Sequence, residues 1–85
     1  MTRTEQAALV VEEEWCATLG LTAPAAGGDF FAEGGNSLMA VSLMDRVERR
    51  LGIDFPVEVM FLDGSYPALL QACLDRVADL PGTSG

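Results

Sequence analysis

Apolar residues between Ser37 and Leu51 recur at three- and four-residue spacing, with Ala40, Met44, Val47 and Leu51 on one stripe and Leu43 at its edge. This period predicts a helix over 37–51, stopped by Gly52. The opposite face begins Leu38, Met39, Val41, Ser42 and continues through Asp45, Arg46, Glu48, Arg49 and Arg50. The charged positions read as a solvated face, and the last arginines suit the negative C-terminal end of the helix dipole. Upstream, Thr2-x-x-Glu5 has the form of a capping box, and Ala8, Val11, Trp15 and Leu19 share a stripe that predicts a helix from Thr4 to Leu19 before Gly20. Glu12 and Glu13 fall off that stripe and are expected in solvent. Downstream, Ser65 caps a final helix with Pro67 in its first turn and Tyr66, Leu69, Leu70, Cys73 and Val77 on one side, running to about Ala78.

The connections are less periodic. Residues 21–35 contain Pro24, Gly27 and Gly28 and read as one long loop, anchored by Phe30 and Phe31 beside Asp29. Ile53, Phe55 and Val57 around Pro56 read as an extended link with its apolar side chains turned inward. Residues 57–62 suffice for one or two turns of a short third helix, followed by the turn signal Asp63-Gly64. The pattern therefore predicts an all-α bundle with three main helices, a short third helix and a long first loop. Its expected core is Trp15, Phe30, Leu43, Met44, Val47, Phe61, Leu70 and Cys73. Residues 1–80 form one domain, and 81–85, with nothing to bury, a loose tail.

Composition narrows the function. A chain of 85 residues has room for one compact core and not for a catalytic cleft with a second domain. No apolar run approaches the ~18 residues of a membrane span, and no apolar signal core follows Met1, so a cytoplasmic protein is expected. Five arginines, no lysine and 13 acids give a net charge of −8. That balance opposes nucleic-acid binding and points to protein partners with basic faces. With no histidine, neither the usual general base nor a Cys/His pair is available. Cys16 and Cys73 lie in separate apolar segments and read as small reduced core residues rather than metal ligands; no metal is expected.

The chemistry concentrates at Asp29-Phe30-Phe31-Ala32-Glu33-Gly34-Gly35-Asn36-Ser37-Leu38. Here a glycine-bearing loop meets a helix start, where unpaired backbone N–H groups favour a phosphate ester. Asn36 and Ser37 are both good capping residues. A serine in this position alone is ordinarily an N-cap, and Gly-Gly-x-Ser-Leu alone is a weak motif. The flanks supply the specificity. Gly34-Gly35-Asn36-Ser37-Leu38 with Asp29-Phe30-Phe31 resembles the attachment site of the peptidyl and acyl carrier proteins of thiotemplate biosynthesis. The resemblance extends from about Leu9 to Val77, through Trp15-Cys16-Ala17-Thr18-Leu19-Gly20-Leu21, Arg50-Leu51-Gly52-Ile53-Asp54-Phe55-Pro56-Val57, and Met60-Phe61 with Ser65 and Leu69-Leu70. Glu14 and Glu33 stand where the family usually has an aliphatic residue and a leucine, and by analogy Phe30 lies deeper than Phe31.

The resemblance implies a four-helix carrier with no enzymatic activity of its own. A separate phosphopantetheinyl transferase would esterify Ser37 with 4′-phosphopantetheine from coenzyme A, with Gly34, Gly35 and Asn36 around the attachment. An adenylating enzyme and downstream condensing or tailoring enzymes would be the other partners of a monomeric carrier. Their docking surface is expected to comprise Leu38, Met39, Val41, Ser42, Arg46, Arg49, Val59 and Leu62. The Gly-Gly pair, Asn36 where fatty-acid-type carriers have aspartate, and the arginines of the second helix favour the peptidyl type; the acidic total favours the acyl type. The start at Met1 suggests a free-standing carrier, although an excised module looks the same. A reading from another class is a helical adaptor whose Ser37 stays unmodified and whose apolar second-helix face binds a partner directly.

Overall fold

The structure, a computed structural model, describes residues 2–24, 28–55 and 58–79. Four helices follow in order: α1 (Arg3–Leu19), α2 (Ser37–Leu51), α3 (Glu58–Leu62) and α4 (Tyr66–Ala78). Among the described residues the only β pairing is an isolated antiparallel bridge between Asp29 and Ser65. The expectations for Pro56, Val57 and the tail fall outside these residues.

Each long helix is set by its ends. Thr2 Oγ1 accepts from the Glu5 N–H at 3.1 Å and the Thr2 N–H donates to Glu5 Oε1 at 2.9 Å, so the capping box forms and holds the Glu5 carboxyl below its usual range. At the other end Gly20, at φ 70°, closes the helix with its N–H on the Cys16 carbonyl. Helix α4 has Ser65 as its cap, Oγ accepting from the Ala68 N–H at 3.3 Å, and Pro67 in the first turn.

Helix α1 packs against both α2 and α4, and this double contact rotates its buried face away from the predicted stripe. Ala7, Val10, Val11 and Trp15 are buried, while Ala8 and Leu19 are half-buried. Glu14 then falls in phase with Val10 and Ala7, on the packed side of the helix. Its side chain is only 14% exposed, and Arg50 and Arg46 of α2 answer its charge at 3.0 and 3.7 Å. An ion pair thus occupies a place where an aliphatic contact is expected. No buried side-chain N or O among the described residues lacks a partner.

Trp15 is the hub of the core. Its ring meets Phe30 edge-to-face at 5.5 Å and Tyr66 at 5.2 Å. Leu43, Met44, Val47 and Cys73 are buried as expected, and Leu43 is fully buried rather than at the edge, with Leu51 half-buried instead. Two expectations fail. Phe61 is 49% exposed, because a single turn can turn only one of two successive side chains inward and Met60 takes that place; Phe61 stacks on Phe31 at 5.7 Å instead. Leu70 is half-buried because the inward row of α4 is Leu69, Cys73, Val77, spaced by four. Both cysteines are free thiols, and burial pushes Cys73 up to about 12.

Candidate functional site

The approach to α2 is a folded turn rather than a slack loop. Asp29 Oδ2 accepts from the N–H groups of Phe31 and Ala32 at 3.1 and 3.0 Å, a local carboxylate cap of the kind aspartate makes in turns. The backbone on either side of Asp29 pairs with the segment before α4: Phe30 N–H to the Gly64 carbonyl and Tyr66 N–H to the Gly28 carbonyl, each at 2.7 Å. Gly64 is buried there, and a Cβ on it would lie 3.1 Å from Asp29 Oδ1 and 3.2 Å from Phe31. Sequence reading took Asp63-Gly64 as a turn and missed this contact, which only the pairing of distant segments creates. Phe30 is fully buried and Phe31 36% exposed, in the order the resemblance implies.

The two glycines answer different needs. Gly34 sits at φ 103°, where a side chain is strained, with open space around it. Gly35 is not at positive φ, yet a Cβ there would come within 2.5 Å of the Phe30 ring. Its N–H donates to the Phe30 carbonyl at 2.9 Å. Phe30 is therefore wedged between Trp15 and the backbone immediately before α2.

Asn36, not Ser37, is the N-cap. Its Oδ1 accepts from the Met39 N–H at 2.9 Å and its carbonyl from the Ala40 N–H at 2.9 Å. Ser37 is the first helical residue, exposed, and its hydroxyl makes no hydrogen bond among the described residues. The N–H groups of Ser37 and Leu38 precede the first bond of the helical ladder and have no partner within the helix. No acid lies in the first turn of α2, so the positive end of the dipole is unopposed. An exposed hydroxyl with two N–H groups beside it, an open glycine backbone before it and no carboxylate in the same turn suits a phosphodiester. No pocket is found among the described residues, and no group of His, Cys, Asp and Glu there could hold a metal.

The expected docking residues divide. Leu38 is 80% exposed, Val41 50% and Leu62 85%, and Ser42 is exposed as well. Met39 and Val59 are half-buried and pack against the core, so they are not outward-facing as expected: Met39 follows Leu38 by a 100° turn toward the packed side of α2. Phe31 and Phe61 add a partly exposed aromatic pair, of which Phe61 is the member expected in the core. Arg46 lies across to Glu14, and Arg49 lies on Asp45 one turn back at 3.3 Å. Arg50 bonds Glu13 at 2.9 Å and Glu14 at 3.0 Å. The hydrogen bonds to Glu13 and then Glu14 raise its pKa further. Glu48, read as solvated, accepts from the Phe55 N–H at 2.6 Å and ties the end of α2 to the link that follows it.

The model of the phosphopantetheine attachment site family matches residues 10–73. Residues of this chain are 32% identical over 68 positions to the phosphinothricin tripeptide synthetase PhsC of Streptomyces viridochromogenes, covering 79% of this chain and 6% of that protein. They are 39% identical over 51 positions to surfactin synthase subunit 3 of Bacillus subtilis, covering 60% of this chain and 4% of that protein. The chain thus matches only a small part of either relative. With the family model spanning most of its length, around a helix start that suits a phosphate ester, the chain belongs to the phosphopantetheine attachment site family, whose members are carriers rather than catalysts and bind 4′-phosphopantetheine covalently.

Proposed function

We propose that Ser37 is the attachment residue and that the protein is a peptidyl carrier, holding an aminoacyl or related acyl group for nonribosomal peptide or similar natural-product assembly. The observation that carries the site is the exposed Ser37 hydroxyl at an Asn36-capped helix end with no acid in its first turn, inside the matched region. When bound, the group supplies a terminal thiol on which cargo is held as a thioester. The chain's own work is to present. Asn36 holds the first turn together without using the Ser37 hydroxyl, Gly34 leaves open backbone beside it, and the Ser37 and Leu38 N–H groups, without partners in the helix, would be the donors for a phosphate. In the transfer the Ser37 Oγ–P bond forms as the pyrophosphate of coenzyme A breaks and adenosine 3′,5′-bisphosphate leaves; with no histidine in the chain, the proton that Ser37 gives up passes to the transferase or to solvent.

The peptidyl reading is supported by a relative named as a tripeptide synthetase, by the neutral Asn36 and by the Gly-Gly pair. On this reading the partners are a phosphopantetheinyl transferase, an adenylating enzyme and condensing or tailoring enzymes, met in the cytoplasm by a monomer whose carrier unit is residues 1–80. Leu38, Val41 and Leu62 form the apolar part of the docking surface, with Ser42, Arg46 and Arg49 around it.

The test is to incubate the apo protein with coenzyme A and a broad-specificity phosphopantetheinyl transferase and to weigh the intact protein. Wild type is expected to gain one arm and Ser37→Ala none. An arm retained by Ser37→Ala, or mapped to Ser42 or Ser65, would overturn the site. Loading of the holo protein by an adenylating enzyme supports the peptidyl type, whereas loading only by a malonyl-type acyltransferase would make it an acyl carrier.

A further inference from the structure

The geometry points to Phe30 and Gly35 as a positioning pair: the buried Phe30 ring acts as a wedge whose contact with the Gly35 backbone sets where the Ser37 hydroxyl stands. The inference rests on Ser37 being the attachment residue. It follows from three features of the wedge. The ring is fixed from below, fully buried and edge-to-face on Trp15 at 5.5 Å. Its backbone is fixed from the side, by the Phe30 N–H on the Gly64 carbonyl at 2.7 Å and by the two N–H groups that Asp29 holds. Above it, the space that a residue-35 Cβ would occupy is taken by the ring, with Cε2 at 2.3 Å, Cδ2 at 2.5 Å and Cζ at 2.8 Å from that position.

Gly35 is two residues before Ser37 and directly before the cap, so a shift at residue 35 is passed through Asn36 to the first turn of α2. Its φ does not require glycine; the absence of a side chain there is explained by the ring alone. Neither residue makes a hydrogen bond to the Ser37 hydroxyl, Gly35 donating instead to the Phe30 carbonyl. They are positioning residues, and the step they act on is transfer to Ser37 Oγ, where a misplacement of about 1 Å is enough to cost ~100-fold in rate.

A double-variant cycle tests the pair. Gly35→Ala forces its methyl against the ring, and Phe30→Leu leaves a gap beneath residue 35, so each alone is expected to lower kcat for phosphopantetheinyl transfer by about tenfold or more. KM for the carrier should hold within about twofold, since residues 30 and 35 lie outside the proposed docking surface. In Phe30→Leu/Gly35→Ala the added methyl meets the shortened side chain, and kcat should exceed that of either single variant, the coupling expected of residues in contact. The Ser37 and Leu38 amide resonances should move in both single variants and return toward wild type in the double. If Gly35→Ala does not fold, the comparison of Phe30→Leu with the double variant still decides. A kcat that is unchanged in the single variants, or no higher in the double than in Phe30→Leu, overturns the inference, as does an effect confined to KM. A wild-type protein that takes no arm at Ser37 would instead overturn the attachment reading itself.

Discussion

The two ends of helix α2 have opposite economies of contact. At the C-terminal end the charged side chains are committed inside the molecule: Arg50 to Glu13 and Glu14, Arg46 to Glu14, Arg49 to Asp45, and Glu48 to the Phe55 N–H. At the N-terminal end Asn36 is the one polar side chain among the described residues that makes an internal hydrogen bond. Ser37, Leu38 and Val41 stand exposed, and the first two N–H groups lie outside the helical ladder. One end of the helix holds the bundle together, and the other is left exposed, as the proposed attachment requires. This division also revises the proposed docking surface, since arginines already engaged with the protein's own acids contribute less to a partner than isolated ones would.

The comparison can be broken most strongly at the free end. Leu38→Ala should slow loading of the holo protein by an adenylating enzyme by about fivefold or more, as loss of a desolvated apolar anchor costs more than ~1 kcal/mol. Its melting temperature should stay at the wild-type value, because Leu38 is 80% exposed. Wild-type loading, or a lowered melting temperature, would return Leu38 to the scaffold. Leu38 is a cleaner probe than Met39, whose half-burial mixes docking with stability.

At the committed end the order reverses. Glu48→Ala leaves the Phe55 N–H without its carboxylate, and a hydrogen bond to a charged group is worth about 1.5–3 kcal/mol. Urea unfolding should show that loss while arm attachment at Ser37 proceeds normally; an unchanged midpoint would mean that water replaces the carboxylate. At the N-terminal end the cap comes next in size. Asn36→Ala should cost about 1 kcal/mol in the same unfolding experiment, whereas Ser37→Ala should change stability by less than about 0.5 kcal/mol, since the first helical residue supplies no cap. Equal losses in the two variants would show that Ser37 shares the capping role. The smallest effect belongs to Arg50→Ala. Arg50 and Glu13 are solvent-exposed and Glu14 keeps Arg46 as a second partner, so a slight fall in melting temperature is expected at low salt and none at high salt. A fall that survives high salt would mark the pair with the 14%-exposed Glu14 as a packing contact rather than a surface one.

The helices were legible because their signals are local. Apolar spacing, the Thr2 and Glu5 capping box, Gly20, Gly52 and Ser65 mark the helix limits to within a residue, and local capping competes only with solvent. The identity of the cap at α2 was less legible, because Asn36 and Ser37 are both suitable and a one-residue shift of the helix start decides between them. Which face of α1 is buried could not be read from one stripe, because two neighbouring helices share it and Glu14 acquires its partners from residues 32 and 36 positions away. Phe61 was misplaced for a related reason: in a five-residue helix the period is too short to choose between adjacent side chains, and the choice falls to whatever packs against them.

By itself the sequence determined an all-α chain, the order and approximate limits of its helices, and a glycine-bearing approach to Ser37, since these follow from residue periodicity and backbone preference over a few residues. The tertiary structure decided what no local pattern encodes: that Phe30 reaches under Gly35, that Gly64 is buried against Asp29, that Glu14 is answered by Arg46 and Arg50, and that Met60 rather than Phe61 turns inward. Each of these depends on groups brought together from distant parts of the chain, where close packing and the need to pair a charge leave one arrangement among several that the local sequence allows.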